Sequence, residues 1–138
     1  MTLKVRAELS EKNKYWIERH RYHELKHFCM QYPIWKKALN AISMVESSKM
    51  NTCCPDNKNV SDRTVMKAEA RMYYTDRINM LERISKEADP DLAKYILKGV
   101  TEGVPYDYLK AKLDIPCCKD TYYDRYRRFF WLLNKERG

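Results

Sequence analysis

Glycine is scarce in this chain. There are three in 138 residues, at Gly99, Gly103 and Gly138, too few and too late for a phosphate-cradling loop or a dinucleotide fingerprint. Five prolines, and no stretch that alternates β-branched with polar residues, argue against a sheet. No apolar run approaches the roughly 20 residues that cross a bilayer, and the opening MTLKVRAELSEK lacks the hydrophobic core of a secretory signal. The five cysteines are Cys29 and the adjacent pairs Cys53-Cys54 and Cys117-Cys118. An odd count argues against a disulfide framework, and adjacent cysteines lack the two-residue spacer of a zinc knuckle. The expectation is a reduced, cytoplasmic protein with no membrane partner.

Apolar residues make up 44% of the chain, enough for a modest core, and the fold class expected is all-α. The net charge of +8 is unevenly spread: ten Lys/Arg against five acids in residues 1–50, seven against seven in 51–89, and ten against seven in 90–138. Basic ends and a neutral middle suit a chain that meets a polyanion with its ends and a partner helix with its middle.

In chain order, residues 1–43 read as a basic helical hairpin. Residues 1–13 are polar; then Tyr22, Leu25, Cys29 and Tyr32 recur at helical spacing, and Pro33 opens a second helix whose inner face is Ile34, Trp35, Ala38, Leu39 and Ile42. His20, His23 and His27 share one face with Glu24 beside them. A zinc ion there would lack a fourth ligand from the same helix, so a polar, phosphate-contacting stripe is expected and no metal or cofactor. Residues 44–60 collect Ser, Asn, Pro and Asp without a period and read as a linker, with Cys53-Cys54 as a small apolar plug. Residues 61–88, capped by Ser61, form one long helix of about 40 Å at 1.5 Å per residue. Its stripe of Ala70, Tyr74, Ile78, Leu81 and Ile84 is widened by Val65, Met66, Met72, Tyr73 and Met80, which suggests self-pairing into a homodimer or, alternatively, use as an internal spine packed by the flanking helices.

Residues 89–138 read as three helices. Asp89, Pro90 and Asp91 make a helix start, Gly103 a left-handed stop, and Pro105 a second start. A short helix follows with Tyr106, Leu109 and Leu113 on one stripe, broken at Asp114-Ile115-Pro116. The third, about 119–134, buries Tyr122, Tyr126, Phe129 and Leu133. Two helices joined by a tight turn, the second basic and aromatic, is the helix-turn-helix pattern whose recognition helix enters the major groove.

The segment VPYDYLKAKLDIPCCKDTYYDRYRRFFWLL resembles the C-terminal, sigma-70 region 4-like helix-turn-helix of small phage and prophage transcription regulators of Gram-positive bacteria, the RinA and ArpU type. The shared features are Tyr106, Leu109, Leu113 and Ile115, the Thr121-Tyr122-Tyr123 run and the Arg127-Arg128 pair. The resemblance covers about the last third of the chain. It departs at residues 116–120, where the family has a shorter, serine-containing turn, and this shifts the start of the recognition helix. The first two helices are similar as a string to the N-terminal part of Firmicute phage proteins. The resemblance implies double-stranded DNA as partner, RNA polymerase as a second one, and a place in the host bacterial cytoplasm.

The residues expected to meet DNA are Lys110, Lys119, Asp120, Thr121, Tyr123, Asp124, Arg127 and Arg128. Lys110, Lys119, Arg127 and Arg128 neutralise phosphates. Among those near the start of the third helix, Lys119 suits guanine, Asp124 suits cytosine, and Thr121 and Tyr123 suit thymine methyls or phosphates. No paired acid and base, and no nucleophile with a partner, marks the chain as an enzyme. Other readings are a packaging adaptor like a small terminase subunit, which would assemble as a ring, a phage protein that binds or inhibits a host protein, and an RNA-binding use of the third helix.

Overall fold

The computed structural model describes residues 12–49 and 60–138, and the Cys53-Cys54 pair lies outside them. Among the described residues the chain is all-helical: α1 (Arg19–Met30), α2 (Tyr32–Lys49), α3 (Val60–Ala88), α4 (Ala93–Glu102), α5 (Tyr106–Leu113) and α6 (Lys119–Arg137). None of these helices is long and apolar enough to cross a membrane. Helix α2 continues through Lys49, past residue 44 where the linker was expected to begin, and α3 starts at Val60, one residue before the expected Ser61 cap.

The chain divides into two compact units. One comprises the chain up to Gln31 together with Leu81–Gly138, and the other is Tyr32–Met80.

In the first unit α1 packs on α4 and α6, and α4 also packs on α5. Within this unit α1, whose Tyr22, Leu25, Phe28 and Cys29 are buried, packs on elements from the far end of the chain. Periodicity shows that a helix face needs covering without saying by what. Here the cover is aromatic. Tyr22 meets Phe130 edge-on, with ring centroids 5.0 Å apart, and Phe130 meets Tyr126 at 5.0 Å. Tyr126 meets Tyr122 at 5.9 Å, and Tyr122 meets Tyr106 of α5 at 5.9 Å. This run of tilted and edge-to-face pairs follows α6 from its middle to its start, each pair adding about 0.5–1.5 kcal/mol beyond its buried area. Leu25, Leu81, Ile84, Ile96, Leu109, Ile115, Phe129 and Leu133 fill the rest.

Helix ends follow their local signals. The Asp89 carboxylate accepts from the N–H groups of Asp91 (2.9 Å) and Leu92 (3.3 Å), so the turn from Asp89 leads into a helix that begins at Ala93. Gly103 stops α4 at φ 70°, its N–H donating to the Gly99 carbonyl. The Pro105 carbonyl then accepts the first two bonds of α5, from Tyr108 and Leu109.

The second unit is less covered. In α2, Tyr32 and Trp35 are buried, and Ala38, Leu39 and Ile42 are partly so. In the α3 portion up to Met80, Ile78 is buried while Val65, Met66, Met72 and Tyr73 are exposed.

Candidate nucleic-acid interface

Helix α5, the turn of residues 114–118 and helix α6 form the segment where the sequence places a DNA-reading element. The turn begins with Asp114 at φ 51°, a left-handed residue that ends α5. Aspartate tolerates that conformation better than most non-glycine residues, because its short polar side chain bonds locally. Ile115 follows, fully buried, with its N–H on the Leu109 carbonyl. Leu113, expected on the buried stripe, is instead 41% exposed. The chain turns at Asp114, and the residue buried beyond the turn is Ile115.

Two tyrosines brace α5 against α6. The Tyr106 hydroxyl donates to the Cys117 carbonyl at 2.6 Å, and the Tyr106 backbone N–H donates to the Tyr123 hydroxyl at 3.3 Å. Tyr123 also packs its ring on Tyr122 (5.0 Å) and Tyr126 (5.8 Å). Its hydroxyl thus satisfies one of the amides left open at the start of α5. Tyr123 therefore holds the two helices together at the position where the sequence suggested a base contact.

Cys118 is the residue before α6, and its carbonyl accepts the first-turn bond from Tyr122. The Cys118 sulfur lies 3.1 Å from the exposed Thr121 hydroxyl. Hydrogen bonds from Thr121, side chain first and then backbone, draw the Cys118 thiol below its ordinary pKa, whereas partial burial raises that of Cys117.

Charges here are largely paired. Lys119 faces Asp107 across the two helices at 3.8 Å, and Lys110 reaches Asp114 (3.5 Å) and the Ile115 carbonyl (3.4 Å). Asp124 accepts from Arg125 at 3.2 Å, and Arg125 also donates to Asp89 at 3.2 Å, tying the start of α4 to α6. Arg128 is half-buried, its Nε enclosed without a hydrogen-bond partner. Arg127 is half-buried as well, Lys112 is exposed, and Asp120 is exposed in the first turn, where the helix dipole favours a negative charge.

In the second half of α6, side chains engage the N-terminal segment, α1 and one another. Tyr15 is buried edge-on against Trp131 at 5.6 Å, Lys135 lies 3.4 Å over the Trp131 ring, Arg21 donates to Asn134 at 2.8 Å, and Arg137 stacks 3.7 Å over Phe28. In the first half Asp120 and Thr121 are exposed and Lys119, Asp124, Arg127 and Arg128 partly so, and at the far end Lys135, Glu136 and Arg137 are exposed.

Comparisons with protein-family models, curated proteins and solved structures found no match.

Sequence reasoning missed three participants. Arg125 carries no local signal that sets it apart from the Arg127-Arg128 pair, and its role depends on Asp89, 36 residues away. Tyr15 and Trp131 carry no local signal, since each is explained only by the other. The histidine face consists of the exposed His20 and His27 with the half-exposed His23, and among the described residues no three His, Cys, Asp or Glu side chains are grouped to hold a metal ion. An open groove of about 700 Å³ between the end of α3 and α4 is lined by Glu82, Lys86, Asp91, Lys94 and Leu97, among others. Its buried Ser85 hydroxyl is already donated to the Glu82 carbonyl at 2.7 Å.

Proposed function

We propose that this protein is a sequence-specific DNA-binding regulator of phage or prophage transcription, acting by binding and not by catalysis. The first half of α6 enters the major groove. The observation that carries the reading is the start of α6, where the exposed Asp120 and Thr121 and the half-exposed Lys119, Asp124, Arg127 and Arg128 lie beside an α5 and turn braced by Tyr106 and Tyr123, while Trp131 and Asn134 farther along are engaged by Tyr15 and Arg21. A recognition helix uses its N-terminal residues on base edges. In this reading Asp120 and Thr121 address bases, Lys119 and Asp124 do so after exchanging their internal partners for DNA, and Lys110, Lys112, Arg127 and Arg128 hold phosphates. Tyr123 sets the angle between α5 and α6. The face of α5 and the turn meets the DNA backbone or RNA polymerase, and the setting is the cytoplasm of the bacterial host.

The test is titration of the protein against upstream duplex from its own genome and against random duplex at two salt concentrations. The expected result is a preference of about a thousandfold for one site. Arg128→Ala should weaken binding to both duplexes and lower the salt slope by about one, and Thr121→Ala should erode the preference alone. Equal affinity for both duplexes, or no binding at low salt, would remove the reading.

A further inference from the structure

The exposed surface of α2 and the N-terminal part of α3 is the least explained part of the molecule. On α2, Ile34, Lys37, Ala41 and Met44 recur at i, i+3, i+7 and i+10 and are all exposed, Ile34 at 64% and Met44 at 72%. On α3, Val65, Glu69, Met72 and Asp76 recur at i, i+4, i+7 and i+11 and are likewise exposed, with Met72 at 65% and Met66 beside the row at 68%. Each is one face of its helix, and the rows match in length at roughly 15 Å, at 1.5 Å per residue.

They are also complementary in charge. The α2 row carries Lys37 and no acid, whereas the α3 row alternates apolar residues with Glu69 and Asp76. Both rows are exposed in one chain, so they do not cover each other there.

We propose that a second copy of this chain covers them, the α2 row of each copy lying against the α3 row of the other. A two-fold axis supplies each row with its complement once per copy and leaves neither over, which is the closed, self-complementary arrangement of a symmetric dimer. A foreign partner shaped for one row would leave the other in water. A stable interface of standard size takes about 800 Å² from each partner, and the exposed Ile34, Met44, Val65, Met66 and Met72 are the apolar side chains these helices offer to it. This extends the pairing that the sequence suggested for residues 61–88 by giving α2 half of the contact, and it stands independently of DNA binding.

The test is sedimentation equilibrium of the full chain without DNA, from low to high micromolar concentration, with helical content followed by circular dichroism. The expected species is a dimer. Met44→Asp and Met72→Asp should each weaken it about tenfold or more, because each buries an unpaired carboxylate among apolar groups. Lys37→Glu should weaken it, the Glu69→Lys/Asp76→Lys pair should weaken it, and the three changes together should restore it. A monomer throughout, a ring of higher order, or charge reversals that add up without restoring the dimer would each overturn the proposal. DNA affinity measured on the same variants at concentrations below dissociation separates this failure from failure of the DNA reading.

Discussion

Among the described residues, the two longest helices treat their apolar residues in opposite ways. Helix α6 has 19 residues and buries Tyr122, Tyr126, Phe129, Phe130 and Leu133 against three other elements. Helix α3 has 29, and over its part in the second unit it buries Ile78 while leaving Val65, Met66, Met72 and Tyr73 exposed. The difference lies in the company each helix keeps. Helix α6 is met by α1, α4 and α5, so its aromatic face becomes interior. A core position is fixed by its neighbours, whereas an exposed methionine row on a continuous helix is held only by the helix itself.

Truncation on each helix should break the comparison most plainly. Phe129→Ala removes a fully buried ring and should cost about 3–5 kcal/mol, while Met72→Ala should stay within about 0.5 kcal/mol for the monomer. Denaturant titration of both variants at a concentration that keeps the chain monomeric measures the contrast, and equal losses would mean that α3 has cover of its own.

A smaller effect sharpens how tightly α4 and α6 meet. A Cβ at Gly99 would sit 2.0 Å from the Tyr122 hydroxyl but 3.4 Å from its ring carbon Cζ, and that hydroxyl is buried without a hydrogen-bond partner. Gly99→Ala should therefore destabilise by about 1–3 kcal/mol through overpacking. Tyr122→Phe should be neutral or slightly stabilising, since it deletes an unsatisfied buried hydroxyl. The double variant should recover fully and gain about 1 kcal/mol from the alanine's helix propensity. Additive losses in this cycle would show that the hydroxyl is not what excludes the methyl group.

The mildest probe is chemical. Among the described cysteines, Cys118 is exposed with its thiol drawn toward the thiolate by Thr121, Cys117 is half-exposed with a raised pKa, and Cys29 is buried with its pKa raised further by desolvation. Near neutral pH an alkylating reagent should modify Cys118 first, Cys117 more slowly, and Cys29 only after unfolding. Peptide mapping over time gives the order, and Thr121→Val should slow the first step. An early-reacting Cys29 would mean that the contact between α1 and α6 opens readily.

Much of the helical layout was legible in the sequence because its signals are local. Gly103 stops α4 through a left-handed dihedral, Pro105 starts α5 with a preset angle, and the spacing of Tyr122, Tyr126, Phe129 and Leu133 marked the face that is buried. Each of these depends on a residue and its neighbours within a turn or two. Less of the candidate site was legible, because partners distant in sequence fix the roles of its residues. Tyr123 became a brace when the Tyr106 amide met its hydroxyl, and Arg125 became a tie when it met Asp89. Leu113 is exposed where Asp114 turns the chain and Ile115 is the residue buried, and Trp131 of α6 meets Tyr15, more than a hundred residues earlier in the chain. The sequence by itself determined that the chain is helical and which helix faces are apolar, because hydrogen-bond periodicity and dihedral preference act over a few residues. Only the tertiary structure decided which of those faces are covered and which charges are paired, because covering a face takes an element brought from elsewhere in the chain.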